Sequence, residues 1–284
     1  MTPAVVSTAA QLRQAVASAR AKGLLIGLVP TMGALHEGHA SLLRLARAET
    51  GFVVASIFVN PTQFGPKEDL SRYPRPWEED LDWCRREKVD LVFHPEPATM
   101  YPPGFCTFVE VTGLQDGLCG ASRPGHFRGV ATVVLKLFNL VQPDVAFFGQ
   151  KDAQQVRIIQ QMVHDLDVPV RVRVGPTVRE PDGLARSSRN RYLDPDQRRR
   201  AVVLHQALDE VRRRVEAGER DAATLRRFLV ERVSATPGAV LDYAEVVNAD
   251  SLRSIDQLKG QVLVALAVKF GGARLIDNVL LNVE

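Results

Sequence analysis

The strongest constraint on this chain is a junction near its amino terminus. Residues 24–29 form an unbroken apolar run that meets Pro30, and the sequence Pro-Thr-Met-Gly-Ala-Leu-His-Glu-Gly-His at 30–39 then leads into a stretch where Leu42, Leu45 and Ala46 recur at helical spacing. A continuous apolar run is the pattern of a strand covered on both faces, as in a parallel sheet with helical crossovers. A second run, 52–59, follows the helix and completes a βαβ unit. The glycine-bearing turn then lies at the carboxyl end of the first strand, where open α/β sheets collect their ligands.

The alternation continues. A helix is expected over 77–88, a strand over 91–93, a helix over 129–140 and a strand over 145–148; a helix carrying Val156, Ile159, Val163 and Leu166 then leads to a strand over 170–174. This order predicts an α/β fold with a Rossmann-like, doubly wound parallel sheet. Ahead of it, Thr8 and Gln11 stand at capping-box spacing, Leu12, Ala15, Val16 and Ala19 share a face, and Gly23 supplies a stop. Asp194 and Pro195 suit an N-cap and a first helical position; arginine-rich helices and strands over 241–247, 262–268 and 274–280 follow. With 284 residues, roughly two domains are expected. The division falls at 1–178 for the Rossmann-like domain and 179–284 for a smaller C-terminal α+β lid domain.

Composition removes several classes. At 45% hydrophobic and 24% charged residues, neither a disordered nor a coiled-coil chain fits. The net charge of +3 is too small to announce a nucleic-acid binder. The clusters Arg198–Arg200 and Arg212–Arg214 are interleaved with acids and read as an ion-paired outer face. Three cysteines without paired CxxC spacing suggest free thiols in a reducing compartment. No apolar run approaches the roughly 20 residues of a membrane helix, and no signal-peptide pattern opens the chain, so a cytoplasmic protein is expected.

His36 and His39 are three residues apart at the helix start, so in a helical first turn both imidazoles face one side, toward a polyphosphate. The H-E-x-x-H metal motif requires four, and neither G-x-G-x-x-G nor G-x-x-x-x-G-K-[ST] follows the strand. Lys151, just after Gly149 at another strand-to-helix turn, is a cation where a helix dipole favours anions; it suits a bound phosphate or carboxylate. Arg186, Ser187, Ser188 and Arg189 lie in a polar basic loop of the kind that closes on phosphates. Gln63, in the turn after the second strand, offers amide donors and an acceptor to a small polar substrate. Glu78, Glu79, Asp80 and Asp82 are read as complementing a helix dipole rather than marking a metal site. The connection 123–129 is basic and glycine-rich, with the character of a mobile anion-binding flap.

Four segments together resemble the pantothenate synthetase, or pantoate–β-alanine ligase, family of the H-x-G-H nucleotidyltransferase superfamily. They are the motif at 30–39, Phe-Val-Asn-Pro-Thr-Gln-Phe at 58–64, Phe-Gly-Gln-Lys-Asp at 148–152 and Ser-Ser-Arg-Asn at 187–190. The resemblance spans nearly the whole chain. It implies an ATP-dependent ligase joining (R)-pantoate to β-alanine through a pantoyl adenylate, with AMP and pyrophosphate released, Mg2+ accompanying ATP, and a homodimer without nucleic-acid or membrane partners. It further implies that Met32, Gly33, Ala34, Leu35, His36, Glu37, Gly38 and His39 contribute to the ATP site, together with Gly149, Gln150, Lys151 and Asp152. Val178, Arg186, Ser187, Ser188 and Arg189 would complete it; Gln63 and Gln155 would hold pantoate, with Gln63 also near β-alanine. His39 carries the family's proton-donor role, and His36, Lys151 and Arg189 would stabilise charge beside it. The metal ligands are not assigned. Arg186 departs from the family pattern, which has an apolar methionine there, so it either tightens the polyphosphate or points to solvent.

Two rival functions share some of these features. A nucleotidyltransferase that caps a phosphorylated acceptor would use the same histidines, and a noncatalytic polyanion-binding protein would use the arginine-rich helices.

Overall fold

The computed structural model describes residues 2–66 and 68–284. They form two compact units, the first comprising the segments up to Val111, Arg123–Gln150 and Gln155–Pro176. The second comprises Thr112–Ser122, Lys151–Gln154 and Thr177–Glu284.

The first unit is built on six parallel strands: β1 (Ala4–Val6), β2 (Ile26–Thr31), β3 (Phe52–Ile57), β4 (Leu91–Phe93), β5 (Val145–Gly149) and β6 (Arg171–Gly175), in the order β1-β4-β3-β2-β5-β6. The chain winds outward from β2 through β3 to β4, then returns to pair β5 on the other side of β2. The topological switch point therefore lies between β2 and β5.

Helices α1 (Ala9–Arg20), α2 (Glu37–Glu49), α3 (Trp77–Arg86), α4 (Pro97–Met100), α5 (Cys119–Ser122), α6 (His126–Val141) and α7 (Ala153–Asp165) connect these strands; of them, α5 and the first residues of α7 group with the second unit. On one face of the sheet, Val29, Val53, Ala55, Val92, Val145 and Phe147 pack with Leu42, Leu43 and Ala46 of α2 and Cys84 of α3. On the other, α1 and α6 meet, and Phe148 packs edge-on against Phe138 of α6. The capping box at Thr8 and Gln11 is formed, and Gly23 has a positive φ.

Three features differ from the sequence expectations. Strand β1 has no counterpart among them: three residues with two exposed carry no periodic signal, and only pairing with β4 makes them a strand. Pro30 does not end β2. Ile26 accepts from Asp144 on the β5 side and Thr31 accepts from Phe58 on the β3 side, so by strand alternation the missing N–H of Pro30 would face β5, whose pairing with β2 stops at Leu28–Ala146. The splay at the switch point removes the need for that donor. The connection 123–129 is half helical, because α6 begins at His126.

In the second unit, β7 (Ala239–Asn248), β8 (Gly260–Phe270) and β9 (Ala273–Val283) form an antiparallel sheet in that order. Helices α9 (Val203–Glu216) and α10 (Ala222–Ser234) cover it, preceded by α8 (Pro195–Arg200) with Asp194 as a capping-box N-cap. Leu204, Leu208, Val211, Leu225 and Leu229 interlock with Val262, Val264, Leu266, Val268 and Phe270 in its core. The arginine clusters are ion-paired outward: Arg199 to Asp196, Arg213 to Asp209 and Glu210, and Arg214 to Glu210. No helix among the described residues is long and apolar enough to cross a membrane.

Candidate active site

The motif at 30–39 leaves β2 at its carboxyl end, and Gly149 closes the adjacent parallel strand β5, so both turns open at the same edge of the sheet. The hydroxyl of Thr31 donates to the Ser56 carbonyl at 2.7 Å and accepts from Gly33 N at 3.2 Å. Gly33 and Ala34 then turn the chain with φ of 79° and 51°. The next two amides are already taken: Ala34 N donates to one oxygen of Asp80 at 2.9 Å and Leu35 N to the other at 2.6 Å. These amides therefore shape the turn and do not offer themselves to a phosphate. Asp80 is 1% exposed and does more than complement the dipole of α3, which is a correction to the sequence reading.

His36 is the N-cap of α2 and not a helical residue, with φ −150° and ψ 177°. Its Nδ1 accepts from Gly38 N at 3.1 Å and is thereby committed to the cap. A Cβ on Gly38 would lie 2.9 Å from the His36 ring, so that glycine makes room for the cap. The rings of His36 and His39 nonetheless converge, with centroids 4.2 Å apart. The convergence expected from helical spacing comes instead from a capping turn. Glu37 is ion-paired with Arg44, and Met32 is half-buried.

Gln63 ends a one-turn 3-10 helix, Pro61–Gln63, after β3 and is 8% exposed. Its side-chain nitrogen donates to Met32 Sδ at 3.1 Å, and its side-chain oxygen accepts from Asn60 Nδ2 at 3.0 Å. Asn60, 1% exposed, also donates to the Gly129 carbonyl and accepts from Tyr101 Oη at 2.7 Å. The sequence places Asn60 in the motif at 58–64 without a role of its own and does not single out Tyr101. Asn60 lies beside Gln63 in the same turn, but Tyr101 lies 41 positions away and gives no local signal. A cavity of about 210 Å³ is lined by this turn together with Phe108, His126, Arg128 and Gly129. Gln155 lies on α7, half-buried.

Within the second unit, Lys151 and Asp152 belong to a 3-10 turn, Gln150–Asp152, whose first residue is grouped with the other unit. The Lys151 ammonium lies 3.6 Å from Asp152, and its carbonyl accepts from Asn278 Nδ2 at 2.8 Å. Val178 accepts from Arg186 N, and the Arg186 side chain pairs with Glu180 at 2.9 Å. Its guanidinium thus meets a carboxylate while its side chain stays 34% exposed. Ser187 caps the turn Ser188–Tyr192 by accepting from Arg189 N at 3.3 Å, and Ser188 is buried.

A parallel sheet with its switch point between β2 and β5, and a histidine-bearing turn at that edge, define an α/β enzyme of Rossmann-like architecture. The pantoate–β-alanine ligase family model matches residues 4–280, and the chain belongs to that family. The chain is 55% identical to the pantothenate synthetase of Moorella thermoacetica over 280 residues, 99% of each protein. It is 53% identical to that of Acetivibrio thermocellus over 279 residues, 98% of this chain and 99% of the relative. The crystal structure of pantothenate synthetase from Thermus thermophilus superposes with a TM-score of 0.91 at 47% identity, covering 97% of this chain and 98% of that one. Pantoate–β-alanine ligase from Francisella tularensis, solved with β,γ-ATP and β-alanine, gives 0.80 at 35% identity over 98% and 97%.

Proposed function

We propose that the protein condenses (R)-pantoate with β-alanine in two steps at the expense of ATP. Pantoate's carboxylate attacks the α-phosphorus, forming pantoyl adenylate and releasing pyrophosphate. The neutral amine of β-alanine then attacks the activated carbonyl, forming pantothenate, and AMP leaves. Activation matters because an oxide is a poor leaving group and AMP a good one.

The observation that carries this reading is the contact of Gln63 with Met32, 3.1 Å from Nε2 to Sδ. It joins a buried amide suited to a hydroxy acid to the turn suited to a nucleotide. Neither step needs a protein nucleophile: holding reactants in line and meeting the charge that develops on phosphate oxygens suffice. His36 through Nε2, and His39 beside it, act as such donors, with His39 chiefly an electrostatic partner. Lys151 and Arg189 supply cations to the phosphates, Gln155 helps hold pantoate, and Gly149 to Asp152, Val178 and Arg186 to Arg189 bind ATP, as the family resemblance implies.

Magnesium enters as the ATP complex. Its ligands are not assigned: among the described residues no group of three or more His, Cys, Asp or Glu side chains could hold a metal ion. Bound with ATP, it would neutralise phosphate charge. The family resemblance supports a homodimer, and the free thiols suit a reducing, cytoplasmic compartment.

The test is pantoate-dependent exchange of label between pyrophosphate and ATP before β-alanine is added. His39→Ala and Lys151→Ala should each lower it by roughly 100-fold or more, as for groups acting in the transition state. Arg213→Ala, ion-paired on the outer face of α9, should leave it unchanged. Equal activity in all three variants refutes the assigned residues, and a nucleotide-capped product refutes the ligase.

A further inference from the structure

We propose that Asp80 is a positioning residue whose buried carboxylate sets the turn that aims His36 and His39; the inference rests on the reading of 32–39 as the nucleotide turn. Glu78, Glu79 and Asp80 all stand in the first turn of α3, but Glu78 and Glu79 are exposed and serve the helix dipole from there. Asp80 alone turns inward, 1% exposed, and spans two successive amides with its two oxygens, Ala34 at 2.9 Å and Leu35 at 2.6 Å.

Those amides belong to a conformation that the local sequence does not favour. Ala34 sits at φ 51°, where an L side chain is strained, and such a residue persists only when its surroundings over-determine it. Asp80 supplies that determination across 46 positions of sequence. Gly33, at φ 79°, makes the approach feasible: a Cβ there would lie 2.8 Å from Asp80 Oδ2 and 3.1 Å from Ile57 Cγ2. The residue after Leu35 is His36, whose backbone begins α2 and whose ring meets His39. A carboxylate that locks Ala34 and Leu35 therefore fixes the origin of both imidazoles. Charge-assisted hydrogen bonds to backbone amides are short and strong, as the 2.6 Å separation is.

The test compares Asp80→Ala, Asp80→Asn and Gly33→Ala in the full chain by amide hydrogen exchange at residues 34 and 35, by pantoate-dependent ATP–pyrophosphate exchange and by thermal melting. Asp80→Ala should speed exchange of the two amides by at least about tenfold, a local opening. It should also lower kcat by about 100-fold, the scale of an ångström misplacement of catalytic groups. KM for ATP should move less than about threefold, because binding groups are retained. Asp80→Asn keeps one acceptor oxygen and should fall between Asp80→Ala and the unmodified protein. Gly33→Ala pushes the carboxylate from the other side and should reproduce the loss with Asp80 present; with Asp80→Asn it decides the matter even where Asp80→Ala does not fold. Unchanged protection of the amides in Asp80→Ala, or lost protection with kcat intact, overturns the proposal. The amide measurement needs no substrate, so an unmodified protein without exchange activity refutes the functional reading while the clamp is still decided.

Discussion

The Nδ1 nitrogen of His126 lies 2.8 Å from the carbonyl oxygen of Gln63. On the other side of the ring, Arg123 Nη1 lies 3.0 Å from Nε2. A guanidinium only donates, so Nε2 accepts from Arg123 while Nδ1 donates to the Gln63 carbonyl. Arg123 is itself held by Glu68 at 2.5 Å and donates to the same Gln63 carbonyl at 3.2 Å. A chain of four residues thus fixes the backbone from which the Gln63 amide projects.

Substituting His126 by Ala should loosen that turn and leave the paired rings of His36 and His39 alone. The expected result is a KM for pantoate raised by about 5- to 10-fold, the cost of one buried hydrogen bond, with kcat little changed. Steady-state kinetics with pantoate varied at saturating ATP checks it.

Gly129 of α6 carries a second, steric constraint on the same turn. A Cβ added there would fall 2.4 Å from the Thr62 carbonyl oxygen and 2.7 Å from Gln63 N, both backbone atoms. Gly129→Ala must therefore push the turn and α6 apart. We expect a loss of about 1–3 kcal/mol in stability, as for overpacked sites, and weakened pantoate binding, read by melting and by isothermal titration.

In the second unit, Arg274 and Asp242 form an ion pair at 2.7 Å with side chains 19% and 12% exposed. Burial pushes the Asp242 carboxyl up, but hydrogen bonds from Arg274 and Ser122 and the charges of Arg274 and Lys269 outweigh it and hold it below the ordinary 3.8. A carboxylate lowered on folding stabilises the protein above its unfolded value and loses that contribution as pH falls through its folded one. Asp242→Asn should therefore flatten the decline in stability below about pH 4. Arg274→Ala removes the nearer cation and leaves Asp242 with Lys269 and Ser122, and should cost about 1.5–3 kcal/mol at neutral pH in urea unfolding, as for a hydrogen bond to a charged group.

Cys84 is fully buried, and burial, followed by the negative charge of Asp80, pushes its thiol up to about 12. Cys119 is also buried, whereas Cys106 is exposed. An aromatic disulfide reagent should titrate Cys106 rapidly in the native protein and all three thiols after denaturation. Rapid native reaction at Cys84 would contradict the packing of α3 on the sheet.

Much of the architecture was readable because burial writes itself into local periodicity. The apolar runs at 24–29 and 52–59 mark β2 and β3 to within two residues, and the Thr8 and Asp194 caps are formed as their spacing requires. The candidate site was legible where its residues are contiguous, as in 30–39, and illegible where it depends on partners from afar. The connection 123–129 looked mobile from its glycines and charges. Its distant partners gave no local signal: Arg123 is tied to Glu68 and His126 to Gln63, 55 and 63 positions earlier.

By itself, the order of apolar runs and amphipathic stretches determined a parallel sheet with crossovers, a separate helix-and-sheet unit, and a histidine turn at a strand's carboxyl end. Only the tertiary structure decided that Asp80 serves the turn and not the dipole alone, that Pro30 continues its strand, and that His36 caps α2 and does not sit in a helical first turn. The reason is physical. Whether a residue is buried follows from its neighbours one to four positions away, whereas which donor meets a buried acceptor follows from sheet order and packing, which bring together amides and carboxylates some 45 residues apart.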